Sequence, residues 1–173
     1  MKFLAALASL ASLVATVSAV DCYLHTNNNC GGASLRCNGI NPNTCCGVDG
    51  SSPYQSVAIR GIPLGWNLQL RGYANGRCST LQTISGNNGN DWICNRSNGF
   101  RYTGCGYNFV GRKRDDPVSK SECTRPNVLE LADGTEYDLT SLDQDDFYKL
   151  IELSANAKKP ADVPEQLQAL EIK

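Results

Sequence analysis

Nine cysteines, at positions 22, 30, 37, 45, 46, 78, 94, 105 and 123, constrain this chain more than any other feature. They follow Met1-Lys2-Phe3 and an apolar, small-residue run that ends Val17-Ser18-Ala19. One early positive charge, a short hydrophobic stretch and small residues at the end read as a secretory signal peptide over residues 1–19. The run is shorter than the ~20 residues that cross a bilayer, so no transmembrane segment is expected. An exported chain matures under oxidising conditions, where cysteines at this density form a disulfide framework. Cys22, Cys30, Cys37, Cys45, Cys46, Cys78, Cys94 and Cys105 are the candidates, and eight cysteines allow about a hundred pairings, so the connectivity stays open. Cys123 stands apart from these eight and is the expected odd thiol, free or available for an intermolecular bridge. With no CxxC pair and one histidine the sequence offers no zinc-type ligand set, and neither metal nor cofactor is expected.

Between the cysteines the hydrophobic pattern has a period of two. Val57 and Ile59 alternate with polar or small neighbours, as do Trp66, Leu68 and Leu70. Alternation places one set of side chains on the core face of a strand. Asn75-Gly76 supplies the positive-φ residues of a tight turn, and the chain returns through Cys78, Leu81 and Ile84. Trp92-Ile93-Cys94 opens a further strand, Ser97-Asn98-Gly99 turns it, and Phe100, Tyr102, Tyr107 and Phe109 continue it. The expected fold is mainly β: a small disulfide-rich β-sandwich or barrel-like body over residues 20–111, with Val57, Ile59, Trp66, Leu68 and Leu70 largely buried. Asn95-Arg96-Ser97 is a glycosylation sequon at the expected turn.

Charge divides the chain. Residues 21–114 hold 9 Lys+Arg against 3 Asp+Glu, a net +6, whereas residues 115–173 hold 6 against 14, a net −8. The sign changes within a linker over residues 112–127, where Lys113-Arg114 matches a dibasic processing site. An acidic C-terminal extension, residues 128–173, follows. Its Asp133-Gly134 turn predicts a short β-hairpin, Ser141-Leu142-Asp143-Gln144 predicts a helix start, and Phe147, Leu150, Ile151 and Ser154 recur at helical spacing. Pro164 and Glu165 begin a second short helix carrying Leu167 and Leu170. Too small to bury much by itself, this tail is expected to dock on the body.

Catalytic chemistry is thinly supplied. His25, the sole histidine, is expected to be exposed, and without a second imidazole no His-based triad or two-histidine mechanism can be built. Asp49 and Asp91 are the carboxylate pair open to glycosidase work, although both sit in Gly/Ser/Asn turns where Asp is common for backbone reasons. Residues 87–91 offer oxygens of the kind calcium takes. Arg36, Arg60, Arg71, Arg77, Arg96 and Arg101 could meet anionic surfaces, but solubility accounts for them equally well and no nucleic-acid partner is expected. No catalytic residue is assigned, and the chain reads as a non-enzyme.

Cys30-Gly31-Gly32 and Cys45-Cys46-Gly47 resemble hevein-type chitin-binding modules, with different cysteine spacing. Taken with the export signal and the Lys113-Arg114 pair, the chain resembles fungal small secreted cysteine-rich proteins. The run Leu70-Arg71-Gly72-Tyr73-Ala74-Asn75-Gly76-Arg77-Cys78, followed by Leu81, is similar to the hairpin of βγ-crystallin-like toxins and effectors over roughly residues 54–110. That resemblance implies an effector or elicitor acting on a host plant through a host protein or cell-surface component. An antimicrobial or killer-toxin-like protein acting on membranes or walls is the alternative, and a glycan-binding or glycan-active protein the third.

Overall fold

The computed structural model describes residues 19–111, 123–157 and 159–173. Residues 1–18 of the expected signal peptide and the Lys113-Arg114 site lie outside the described residues. Among the described residues eleven strands form two sheets. The larger one contains β1 (Val20–His25), β2 (Ser34–Ile40), β4 (Ser56–Arg60), β7 (Trp92–Arg96), β10 (Val128–Glu130) and β11 (Glu136–Asp138), in the order β11-β10-β2-β1-β4-β7. The smaller contains β3 (Cys45–Gly47), β5 (Leu68–Ala74), β6 (Thr80–Gly86), β8 (Gly104–Phe109) and β9 (Cys123–Thr124), in the order β6-β5-β8-β3-β9. Every pairing is antiparallel except β3 with β9. The chain is therefore mainly β, and among the described residues the helices are α1 (Gln144–Ser154), a 3-10 turn (Pro160–Asp162) and α2 (Glu165–Gln168).

The two-residue period accounts for the strands. Cys22 and Leu24 of β1, Val57 and Ile59 of β4 and Leu68 and Leu70 of β5 all enter one core. Tyr23 and Ala58 point to the opposite face, where they meet Cys30 and are covered by its loop. Trp66 differs from expectation: it is half-buried, its ring set edge-on to Phe109 at 4.8 Å. β4 and β5 do not pair; they belong to different sheets, because the Gly61–Asn67 connection carries the chain across the sandwich. Asn75 (φ 64°) and Gly76 (φ 83°) turn the β5–β6 hairpin as their residue types require. Gly72 is needed for a different reason, since a Cβ there would run into the Tyr102 ring.

The acidic tail is part of the sandwich. β10 pairs with β2 in the register Val128↔Arg36, Leu129↔Leu35 and Glu130↔Ser34, and β11 follows through the Asp133-Gly134 turn. α1 starts two residues later than its sequence signature, with Asp143 as N-cap accepting from the Asp146 amide at 2.9 Å. Phe147, Leu150 and Ile151 then enter the same core as Leu35 and Tyr54. Tyr54 and Ser154 join their hydroxyls at 3.2 Å, and Tyr148 accepts from the Asp49 amide at 3.0 Å. Arg36 grips Glu136 with its two terminal guanidinium nitrogens, at 2.8 and 2.9 Å, a two-pronged bond between basic body and acidic tail.

Candidate functional site

Of the candidate residues, the cysteines are brought together most tightly. Cys22–Cys105 joins β1 to β8 and Cys37–Cys46 joins β2 to β3, so two bridges tie sheet to sheet. Cys30–Cys94 fastens the loop after β1 to β7. The remaining three form a cluster: the sulfurs of Cys45, Cys78 and Cys123 lie within 4.8 Å of one another. Cys45 sits at bridging position to both, with Cα–Cα separations of 6.1 Å to Cys78 and 4.4 Å to Cys123. A sulfur carries one disulfide, so two pairings compete for Cys45 and the ninth sulfur is the thiol of either Cys78 or Cys123. Sequence reasoning set Cys123 aside from the eight; the β3–β9 register, Cys45↔Cys123, puts it among them.

His25 is not exposed. It ends β1, a central strand, and is buried, 3 % exposed, between Ser34 of β2 and Ser56 of β4. Its ring stacks on Tyr23 at 5.6 Å, and among the described residues neither ring nitrogen has a hydrogen-bond partner. Burial, helped by the Arg60 cation, lowers its pKa to about 4. Such an imidazole is neutral and shielded from solvent at physiological pH, which suits packing better than proton transfer. The unfolded chain takes up this proton near pH 6.5 and the folded chain only near pH 4. Stability is therefore fully present above about pH 6.5, falls as the pH drops towards 4, and levels off below that. The expected loss is about 3 kcal/mol. His25→Phe, which keeps the ring stack, is expected to remove that part of the pH dependence in urea unfolding at pH 7 and pH 4.

The two candidate carboxylates have different settings. Asp49 accepts two bonds from Arg77, at 2.6 and 3.1 Å, and hydrogen bonding to that guanidinium holds its carboxyl below the usual range. A general acid needs the opposite shift. Asp91 is exposed in the loop before β7. In the same loop Asn87 is buried: it donates to the Trp66 and Asn90 carbonyls and accepts from the Leu68 amide. Its side chain thus holds the loop to β5, leaving it poorly placed to serve calcium. Three of the six arginines are engaged within the body or with the tail. Arg36 binds Glu136, Arg60 lies over Tyr23 at 5.2 Å and donates to the Cys30 carbonyl, and Arg77 binds Asp49.

Asn95 lies on β7, not at a turn, and is buried, with 4 % exposure. Its side-chain nitrogen points inward and donates to Thr83 at 3.1 Å. A glycan on that nitrogen has no room in the folded chain.

The surface carries a feature that sequence reasoning missed. Leu81 and Ile84, through which the hairpin returns on β6, are 43 % and 45 % exposed, together with Trp92 of β7 at 51 % and Leu64 at 93 %. β6 and β7 end the two sheets and meet through the Thr83–Asn95 bond. The inward position on β6 belongs to Thr83, which also bonds Tyr102 at 3.0 Å. The neighbouring Ile84 is thereby turned outward. Only the polar Thr83–Tyr102–Asn95 contact, invisible to a hydrophobic-period reading, could have signalled this.

One family model, described as ARB_05566_N, N-terminal domain, matches residues 21–127. No curated protein and no solved structure matches the chain.

Proposed function

The chain belongs to the ARB_05566_N family of N-terminal domains, and we propose that it is a secreted cysteine-rich effector or elicitor of fungal type, acting on a host plant by binding a host protein and without chemistry of its own. The observation that carries this reading is the exposure of Leu81 and Ile84 on β6, Trp92 on β7 and Leu64 in the β4–β5 connection, which with Val110 and Ile172 are the large apolar side chains left in solvent among the described residues. Interfaces draw their binding energy from a few such anchors, with tryptophan prominent among them. The bridges support secretion, because a disulfide-dense small protein persists in oxidising surroundings. Neutral, buried His25 and ion-paired Asp49 favour binding over catalysis.

Infiltration of leaves with purified protein tests the proposal. Wild-type protein is expected to evoke cell death or a defence response, and Ile84→Ala/Trp92→Ala to need at least about tenfold more protein, the cost of roughly 1.4 kcal/mol or more of binding. Both positions are exposed, so thermal stability should change little. Equal potency of the double variant would exclude this surface, and growth inhibition of microbes without any leaf response would favour a toxin.

A further inference from the structure

We propose that Cys45, Cys78 and Cys123 form a thiol–disulfide exchange site, in which one bridge and one thiol share three sulfurs and the bridge passes between Cys45–Cys78 and Cys45–Cys123. Six of the nine cysteines are committed to the Cys22–Cys105, Cys30–Cys94 and Cys37–Cys46 bridges. The other three lie within 4.8 Å, sulfur to sulfur. Both Cα separations, 6.1 and 4.4 Å, fall inside the range that disulfides span, so either bridge closes with little movement of the backbone.

The placement suits exchange. Cys45 is buried on β3 and is the sulfur under attack in either direction, while Cys78 and Cys123 are half-exposed and flank it. Gly104 of β8 makes room on the Cys78 side: a Cβ there would lie 2.9 Å from the Cys78 sulfur. On the Cys123 side a cavity of about 160 Å³ opens, lined by Arg77, Arg125, Phe147 and Tyr148 among others. Asp49 neutralises Arg77, whereas Arg125, among the described residues, donates to the Leu139 and Leu142 carbonyls and lies 4.5 Å over the Phe147 ring. Arg125 and Cys123 line the same cavity, and positive charge in a cysteine's surroundings favours the nucleophilic thiolate.

The step balances within the chain. The Cys123 thiol gives its proton to solvent, and the thiolate attacks the Cys45 sulfur. The Cys45–Cys123 bond forms as the Cys45–Cys78 bond breaks, and Cys78 leaves as a thiolate that takes a proton. No oxidant or reductant is consumed. The two isomers differ in what they hold: Cys45–Cys78 staples the turn after β5, and Cys45–Cys123 staples β9 and with it the start of the tail.

The test is alkylation of the native full chain without reductant. Samples held at pH 8 are transferred to mildly acidic guanidinium with N-ethylmaleimide, where exchange is slow and access no longer matters, and labelled peptides are mapped. One label per chain is expected, divided between Cys78 and Cys123. In a second arm, half an equivalent of maleimide is added to native protein at pH 8. The unreacted half should show the original Cys78-to-Cys123 ratio, because exchanging isomers re-equilibrate. Cys78→Ser and Cys123→Ser should each yield a chain with no thiol. A label confined to one of the two cysteines, a label on any of the other seven, or a ratio skewed after partial reaction would overturn the proposal.

Discussion

Cut back to residue 127, the end of the family match, the chain is expected to lose roughly 5 kcal/mol or more of stability, which at this size is about 15 °C or more in melting temperature. The truncation removes β10, β11 and α1, and with them Leu129, Leu131, Tyr137, Phe147, Leu150 and Ile151 from the single large core. Each buried side chain of this size contributes about 1.5–3 kcal/mol, partly offset by the entropy of ordering the tail. The cost to the body is separate. Leu35, Val48 and Tyr54, all buried, lose their cover. β2 also becomes an open strand edge, a template for aggregation. Differential scanning calorimetry of the full and shortened chains checks this, and light scattering should show the shortened chain associating. A shortened chain as stable as the full one would mean that the tail only rests on the body. For the same reason, a cut after Arg114 would leave the tail in place, held by the β2–β10 ladder and the core.

Cys22→Ala/Cys105→Ala is expected to cost about 4.5 kcal/mol, against about 2.7 kcal/mol for Cys37→Ala/Cys46→Ala, although both bridges join the same two sheets. The difference lies in the unfolded chain. The first bridge closes a sequence separation of 83 residues and the second only 9, and the entropy removed grows with the logarithm of the loop. Replacing both partners avoids a stray thiol that could scramble the cysteine cluster. Chemical denaturation of the two double variants reads the order directly. Equal losses, or a larger loss for Cys37/Cys46, would show that native-state packing around the sulfurs outweighs loop entropy.

The strands around Val57, Leu68 and Leu70 could be read from the sequence because their alternation reports burial directly. The Asn75-Gly76 and Asp133-Gly134 turns were legible because few residue types adopt their backbone geometry. Position in a sheet was not. His25 looked exposed beside the expected N-terminus, but pairing on both flanks makes β1 central and buries it. Which face of β6 turns inward was not legible either: the Thr83 contacts with Tyr102 and Asn95 set it, and they leave the neighbouring Ile84 facing outward. Cys123 looked separate because linear distance from the other cysteines says nothing of a parallel β3–β9 pairing across 78 residues. These are long-range choices, set by which strands meet, and local pattern carries little of that information.

Site-directed photo-crosslinking in leaf apoplastic fluid tests the proposed contact of Leu64, Leu81, Ile84 and Trp92 with a host protein. A photoreactive residue is placed at Trp92 and, as a control, at Asp145, exposed on α1. One host-protein adduct is expected from position 92, lost when excess unmodified protein competes and retained when the competitor is Ile84→Ala/Trp92→Ala, with no such adduct from position 145. No adduct from position 92, or a competed adduct from position 145 alone, would contradict it.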